Sequence, residues 1–397
     1  MSSEAEVLIV TVQTTPHILI IGAGYAGMTA ALRLSRRTRR RNVKITLING
    51  GTHFVERIRL HQVAAAQTIR QHRITDLLRG TGVAFQQGWI LCINPETREV
   101  IVQTEQGARA IPYDYLLYAL GSMADKDSVP GVREHAFAIG DAADSPALRQ
   151  RLGELAGGSG GRVVVVGGGL TGIETAAELA DAYPALSVRL VTEGKLGSGL
   201  SDRGRTHLRA TFARKRVEIV ENAVIEEVSE GMLKTRDGDA IPFDICVWAA
   251  SMKAPSIARD SGLEVNARGQ IRVDETLRIA GEPSIYAVGD AAVMPPDAAN
   301  QTRMACATAV PMAAHAVDNL LRELDGEAPL PFRFRFMFQC ISLGRRDGLI
   351  QTVRGDDSPV ERILTGRLAA WYKEMICQFA GMTVRHARVA DYYRWPQ

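Results

Sequence analysis

Two short, unbroken apolar runs, Ile18–Ile21 and Val163–Val166, stand out in a chain whose hydrophobic positions otherwise alternate with polar ones. A continuous run of four ending at glycine reads as a strand buried on both faces, as in a parallel sheet. Each run is followed by a glycine-rich turn and then a helix-like stretch, Ala30–Leu34 and Ala176–Leu179. Val83–Phe85, Trp89–Ile93 and Val100–Thr104 alternate as half-buried strands do, with turns at Asn94-Pro95 and Glu105-Gln106-Gly107. Tyr113–Ser122 predicts another buried strand running into glycine, and Ser284–Ala292 a further one before a helix over Met304–Leu321. Beyond it, Phe332, Phe334, Phe336 and Phe338 alternate with Arg333, Arg335 and Met337, which predicts a strand with one aromatic face. Leu368, Trp371/Tyr372, Met375/Ile376 and Phe379 then repeat at helical spacing.

The second half echoes the first. Ile241-Pro242-Phe243-Asp244 precedes the apolar run ending Ala249-Ala250, as Ile111-Pro112-Tyr113-Asp114 precedes the one ending Ala119-Leu120. This is a long-period duplication of a whole unit rather than a solenoid repeat. The flexible stretch Gly157-Gly158-Ser159-Gly160-Gly161, just before the second unit, marks a crossover between domains.

Chemistry enters at the glycines. Gly22, Gly24 and Gly27 (with Tyr25 and Ala26 between them) and Gly167, Gly169 and Gly172 (with Leu170 and Thr171) repeat one spacing, 145 residues apart. The first glycine makes the tight turn, the second lets backbone approach a pyrophosphate, and the third lets the next helix pack closely with its N-terminus facing the phosphates. Two copies in strand–turn–helix context predict two dinucleotide sites. A ribose-binding acid is expected about 20 residues on. After the second fingerprint it is Glu193, which would repel a 2′-phosphate and so favours NADH over NADPH, although Lys195, Arg203 and Arg205 follow closely. After the first it is Asn49, followed by Gly50, a neutral residue that also reads as part of a turn. Asp290, at a strand's carboxyl end after Gly289, is placed to accept from sugar hydroxyls. The similar Ala136–Asp144 stretch, with its own Gly140-Asp141, reads instead as the connector into the second unit.

Composition narrows the class. With 397 residues, 46% hydrophobic and 23% charged, the chain suits two or three soluble domains. A net charge of +3 gives no case for nucleic acid. The basic cluster Arg36, Arg37, Arg39, Arg40 and Arg41 reads as a solvated helix C-terminus, with an anionic membrane surface as the minority reading. Five scattered cysteines, none in metal or redox-pair spacing, suit a reducing compartment and predict no metal site. Residues 1–16 read as a loose extension, a poor signal peptide, and no apolar run approaches a membrane span.

Taken together, these motifs resemble the pyridine nucleotide–disulfide oxidoreductases over about residues 17 to 323. The resemblance implies an α/β fold of two nested Rossmann-like dinucleotide-binding domains plus a C-terminal α+β domain. Residues 17–155 and 270–323 would bind FAD, 156–269 would be the inserted NAD(P)H domain, and 324–397 an interface or membrane-facing domain. It implies that Gly22, Gly24 and Gly27 hold the FAD pyrophosphate, that Ala119 and Gly121 line the FAD cleft, and that Gly289-Asp290 holds the ribityl chain. Arg57 resembles the arginine that flanks FAD in related reductases, with a surface salt bridge as its plain alternative. The chain lacks the family's redox-active cysteine pair. What remains looks most like type II NADH dehydrogenases and the ferroptosis-suppressor and apoptosis-inducing-factor-like flavoproteins. Where the type II enzymes carry A-Q-x-A-x-Q, residues 303–311 read RMACATAVP.

The expected activity is therefore hydride transfer from NADH to FAD and onward to a small acceptor, a quinone first. A ferredoxin-type or tailoring reductase and a non-catalytic NADH sensor are the alternatives. Glu174 is expected to project toward the nicotinamide, or else to be a favourable charge at a helix N-terminus. Ala249, Ala250 and Ser251 permit close approach on the nicotinamide side, and Cys306 reads as a small buried hydrophobe. His53, His61 and His315 receive no role. The apolar face over Leu368–Phe379 and the Arg385, Arg388, Tyr392, Tyr393, Arg394, Trp395 tail predict domain packing, a homodimer contact or peripheral membrane binding. The expected location is cytoplasmic, soluble or on the inner face of a membrane.

Overall fold

A computed structural model describes residues 15–295 and 302–392, with the Tyr392 side chain left out. Residues 1–14 of the expected extension and Tyr393, Arg394 and Trp395 of the tail lie outside the described residues. The first apolar run is the central strand of a six-stranded sheet: Arg278–Ile279, Glu282–Ala287, Tyr115–Tyr118, His17–Ile21, Lys44–Asn49, Ala84–Gln87. All of its pairings are parallel except the first. The second apolar run is the middle strand of a five-stranded, wholly parallel sheet: Ala136–Ala138, Ile245–Trp248, Gly161–Val166, Leu186–Val191, Glu218–Val220. Both runs are buried because both faces of each sheet are covered, by helices and by a small antiparallel sheet.

The internal duplication has a physical basis in the two Asp residues. Asp114 Oδ2 accepts from the His17 amide at 2.6 Å, where the first fingerprint strand begins, and Asp244 Oδ2 accepts from the Arg162 amide at 2.7 Å in the second. Each carboxylate ties the start of its own strand to the start of the fingerprint strand beside it, fixing the register of the pair. Each half also carries a three-stranded antiparallel meander, Trp89–Asn94, Glu99–Thr104 and Gly107–Pro112 in one and Ile225–Ser229, Met232–Thr235 and Ala240–Pro242 in the other. Met123–Ala124 and Met252–Lys253 pair antiparallel as the two crossings between halves. The connector strand Ala136–Ala138 joins the second sheet, on the N-terminal side of the expected 155/156 boundary.

The C-terminal region is α+β: strands Phe338–Ser342, Gly348–Val353 and Pro359–Thr365, then helices Gly366–Arg385 and Ala387–Tyr392. The aromatic repeat departs from expectation. Phe332, Phe334 and Phe336 are buried and their neighbours exposed, yet no strand forms until Phe338. The segment is extended and inserts its phenylalanines into the first domain's core, with isolated backbone bonds such as Phe332 N–H to Glu275 O at 2.7 Å. Burial periodicity was legible there, but ladder pairing depends on a neighbouring edge that the sequence does not specify.

The basic cluster is not simply solvated. Arg36 and Arg37 pair with Asp391 of the last helix at 3.2 and 2.6 Å, and Arg41 with Asp325 at 2.8 Å. Deeper in the same helix, Arg33 is 1% exposed. It forks onto Asp318 at 2.9 and 2.7 Å and donates to the Ala390 and Asp391 carbonyls at 2.8 and 2.7 Å. Arg33→Met is expected to lower stability by about 3 kcal/mol, since it strands Asp318 and two carbonyls. Arg33→Lys should recover little, because one ammonium cannot span the fork. Urea unfolding midpoints check both, and an Arg33→Met protein as stable as wild type would contradict the assignment.

Candidate functional site

The two glycine turns are superimposable in their logic. Gly22 has φ +96° and Gly167 φ +128°, the left-handed side that favours glycine. A Cβ on Gly22 would stand 2.3 Å from the Ala119 carbonyl oxygen, and one on Gly167 2.7 Å from the Ala249 carbonyl carbon. Gly27 and Gly172 pack on the first glycines, where a Cβ would lie 1.8 and 1.9 Å from the Gly22 and Gly167 oxygens. At Gly24 and Gly169 a Cβ would meet nothing within 4 Å. The middle glycine of each turn therefore faces open space. Helices Tyr25–Arg37 and Leu170–Ala182 begin there, and their first-turn amides, at Tyr25, Ala26 and Gly27 and at Leu170, Thr171 and Gly172, lack intrahelical acceptors. Neither first turn carries an acid. Two such cradles fit extended, doubly anionic pyrophosphates.

Around the first cradle, Asn49 Oδ1 accepts from the Ala23 amide at 3.0 Å and Nδ2 donates to the Gly51 carbonyl at 2.8 Å. Its turn role is thus real, and each polar atom keeps one hydrogen-bonding valence. Gly121 (φ +69°) and Gly289 (φ +71°) turn the chain at the ends of the two neighbouring strands. Between them Ser122 Oγ donates to Asp290 Oδ2 at 2.7 Å. Burial pushes the Asp290 carboxyl upward, against Ser122, Arg57 and the Ala305 backbone. Arg57 makes no surface salt bridge: Nη1 donates to the Ser122 carbonyl, while Nη2 is buried with no partner among the described residues. Burial draws that guanidinium's pKa down against the pull of Asp290 and Asp141. An orphaned cationic donor beside a buried carboxylate fits a polar cofactor better than a sealed core. The connector lies closer than expected, since a Cβ on Gly140 would sit 3.5 Å from Arg57 Nη2. Ser122 and Gly140 carried no sequence signal beyond their neighbours.

In the second half, Glu193 is exposed two residues past its strand, and Ser251, at φ +54°, ends the Ala249-Ala250-Ser251 turn in left-handed backbone. Arg203 and Arg205 are engaged elsewhere, with Glu361 and with Asp202 and the Leu200 carbonyl. Lys195 is exposed beside Glu193.

Glu174 meets a partner that the sequence did not reveal. Its Oε1 lies 2.8 Å from Lys373 Nζ of the long C-terminal helix and accepts from the Ser342 amide at 2.9 Å, and its Oε2 lies 4.0 Å from His61 Nδ1. Burial alone would raise the Glu174 carboxyl, but the Lys373 ammonium, His61 and the Ser342 amide hold it below the usual range. Burial alone would lower Lys373, but Glu174 keeps its ammonium well above the ordinary lysine value. Burial draws the His61 imidazole's pKa down against the pull of Glu174 and Glu178. On that helix Lys373 turns inward, and Glu374 pairs with Arg59 at 2.7 Å. Three thiols share this charged pocket. Burial pushes Cys306 up to about 11 and Cys340 up to about 12, and raises Cys377, so all three stay protonated, and all five cysteines are free. Among the described residues no group of side chains could hold a metal ion.

Glu174→Gln is expected to cost about 3 kcal/mol, because it leaves the Lys373 ammonium without its counter-charge. The carboxylate's contribution is complete above its ordinary value of 4.5 and is lost as pH falls through the lower folded-state value. The gap between wild type and variant should therefore hold between about pH 6 and 9 and narrow below about pH 4.5. Thermal unfolding across that range measures it, and a gap independent of pH down to 3 would contradict an ionised pair.

Against known proteins, residues 16–316 match the pyridine nucleotide-disulphide oxidoreductase family. An NADH dehydrogenase-like protein of Mycobacterium tuberculosis is 29% identical over 346 residues, covering 83% of this chain and 86% of that one. A type II NADH:quinone oxidoreductase of Haemophilus influenzae is 27% identical over 352 residues, covering 73% and 79%. Among solved structures, NDH2 of Plasmodium falciparum in complex with NADH superposes with a TM-score of 0.81 at 15% identity, covering 96% and 99%. With two glycine cradles, the paired-domain fold and a family match spanning most of its length, this chain belongs to the pyridine nucleotide-disulphide oxidoreductase family.

Proposed function

We propose that this protein is an FAD-dependent oxidoreductase that takes a hydride from NADH and passes two electrons to a small acceptor, a quinone. The observation that carries this reading is the pair of uncovered backbone cradles at Gly24 and Gly169 in one chain. Bound FAD supplies the redox chemistry that the side chains lack. The Tyr25–Gly27 amides, the orphaned Arg57 Nη2 and Asp290 bind and orient it. The Leu170–Gly172 amides hold the NADH pyrophosphate and Glu193 its ribose, while Ala249, Ala250 and Ser251 leave room for the nicotinamide. A quinone that gains two electrons also takes up two protons. One arrives with the hydride of NADH and the other comes from solvent, because the Lys373 ammonium is held too firmly by Glu174 to release its proton readily. The relatives, an NADH dehydrogenase-like protein and a type II NADH:quinone oxidoreductase, support both donor and acceptor. Protonated thiols and the missing cysteine pair argue against disulfide chemistry.

Purified protein should be yellow, bleach rapidly with NADH under anaerobic conditions and recover its colour on a soluble short-chain quinone. NADH should give a higher kcat/KM than NADPH, and Glu193→Ala should narrow that gap by removing the charge that opposes a 2′-phosphate. A long-lived reduced protein that no quinone reoxidises would leave it a sensor or a reductase of another acceptor. NADPH as the better donor would refute the Glu193 argument.

The outer face of helix Gly366–Arg385 exposes Leu368, Trp371, Met375 and Phe379, which form one apolar stripe. Among the described residues no helix is long and apolar enough to cross a membrane. This stripe docks peripherally on the bilayer that carries the quinone. Truncation would remove Lys373, so Trp371→Glu with Phe379→Glu is the cleaner test. The double variant should stay in the supernatant when wild type sediments with anionic liposomes at low salt. Equal sedimentation of the two would assign the stripe to protein packing.

A further inference from the structure

We infer that Trp89 is a stacking platform for the adenine of the bound FAD, a reading that deepens the FAD assignment above and rests on it. Trp89 opens the first meander and is 70% exposed, far more than an indole of its size needs to be. It is not a loose side chain. A Cβ on Gly50 would lie 2.7 to 2.8 Å from three of its ring carbons, so the indole lies against the bare Cα of Gly50. Glycine at position 50 is what lets the ring come so near.

The position of that contact matters more than its closeness. Gly50 directly follows Asn49, whose side chain is bonded to the first fingerprint turn through the Ala23 amide. In a dinucleotide fold the ribose sits at this strand end, and the base lies one glycosidic bond farther out. The loop there is held rigid: Gln87 Nε2 donates to the Gly50 carbonyl at 3.2 Å, and the Gly88 amide donates to the Asn49 carbonyl at 3.0 Å. One part of the indole is thus fixed on Gly50 while the rest is open to solvent beside the place where a purine must lie. Stacking needs no hydrogen-bonding code, only a flat face at that point. It would add affinity for FAD over FMN, which has no adenine.

The experiment follows FAD release from the holoprotein on dilution, read as the rise of free-flavin fluorescence. Trp89→Ala should bind FAD about tenfold more weakly, and Trp89→Phe should keep most of the affinity. Gly50→Ala, whose methyl would collide with the ring, should shift affinity the same way as Trp89→Ala. The visible spectrum of retained flavin should not change, because the isoalloxazine lies at the other end of the cofactor. Should Trp89→Ala fail to fold, Gly50→Ala and Trp89→Phe carry the test. A yellow wild type with all three variants retaining FAD equally well would overturn the stacking role, and would make Trp89 and the neighbouring exposed Leu91 a contact for something else. A wild type that binds no FAD would overturn the cofactor reading itself, and this inference with it.

Discussion

Backbone stands against backbone at the two fingerprint turns, and most of the molecule is arranged around that approach. With any side chain at Gly22, Gly27, Gly167 or Gly172 the fingerprint strand could not lie beside its neighbour while its helix leaves at the required angle. The strand order on either side of His17–Ile21 and Gly161–Val166, the helices covering the sheets, and the open rim at Gly24 and Gly169 all follow from it. Asp114 and Asp244 then pin the far ends of the same strand pairs. Each half is therefore fixed at both ends of its central strands, close packing at one and a charge-assisted hydrogen bond at the other.

A second constraint joins the halves to the C-terminal region. That region contributes Lys373 to Glu174, Arg345 to Glu178, Asp347 to His207 and Arg214, and Gln351 to the Ser201 amide. All four reach into the second half, while Glu374 reaches Arg59 and the last helix closes over Arg33 in the first. The region spans both nucleotide-binding units and delivers the one ammonium placed against Glu174. One helix consequently carries two unlike faces, a charged inner one against Glu174 and an apolar outer one.

Much of this was readable from the chain. The two fingerprints, the internal echo, the strand ending in Asp290 and the helical spacing over Leu368–Phe379 are local patterns, and local patterns follow from the geometry of strands, turns and helices. The Asn49 turn was legible for the same reason: an Asx side chain bonds to backbone within a few residues of itself or at a tight turn. Less legible was anything decided by a partner distant in sequence. Phe332, Phe334 and Phe336 had the burial rhythm of a strand without its pairing. The arginines after the first helix looked solvated because Asp391 lies some 350 residues away.

By itself, then, the sequence determined the two parallel-sheet units, their glycine turns and the absence of a cysteine pair, since each depends on residue type at fixed short spacing. Only the tertiary structure decided which charges meet. Lys373, on the helix that carries the apolar stripe, is turned inward because Glu174, 199 residues earlier, offers the compensation that a buried ammonium requires. Arg57 read equally well as a surface ion pair, and only the fold leaves its Nη2 buried and unpartnered. Trp89 looked like one strand residue among several until its ring was found lying on Gly50. Periodicity reports the face a residue presents, whereas its contacts are set by chain segments that only folding brings together.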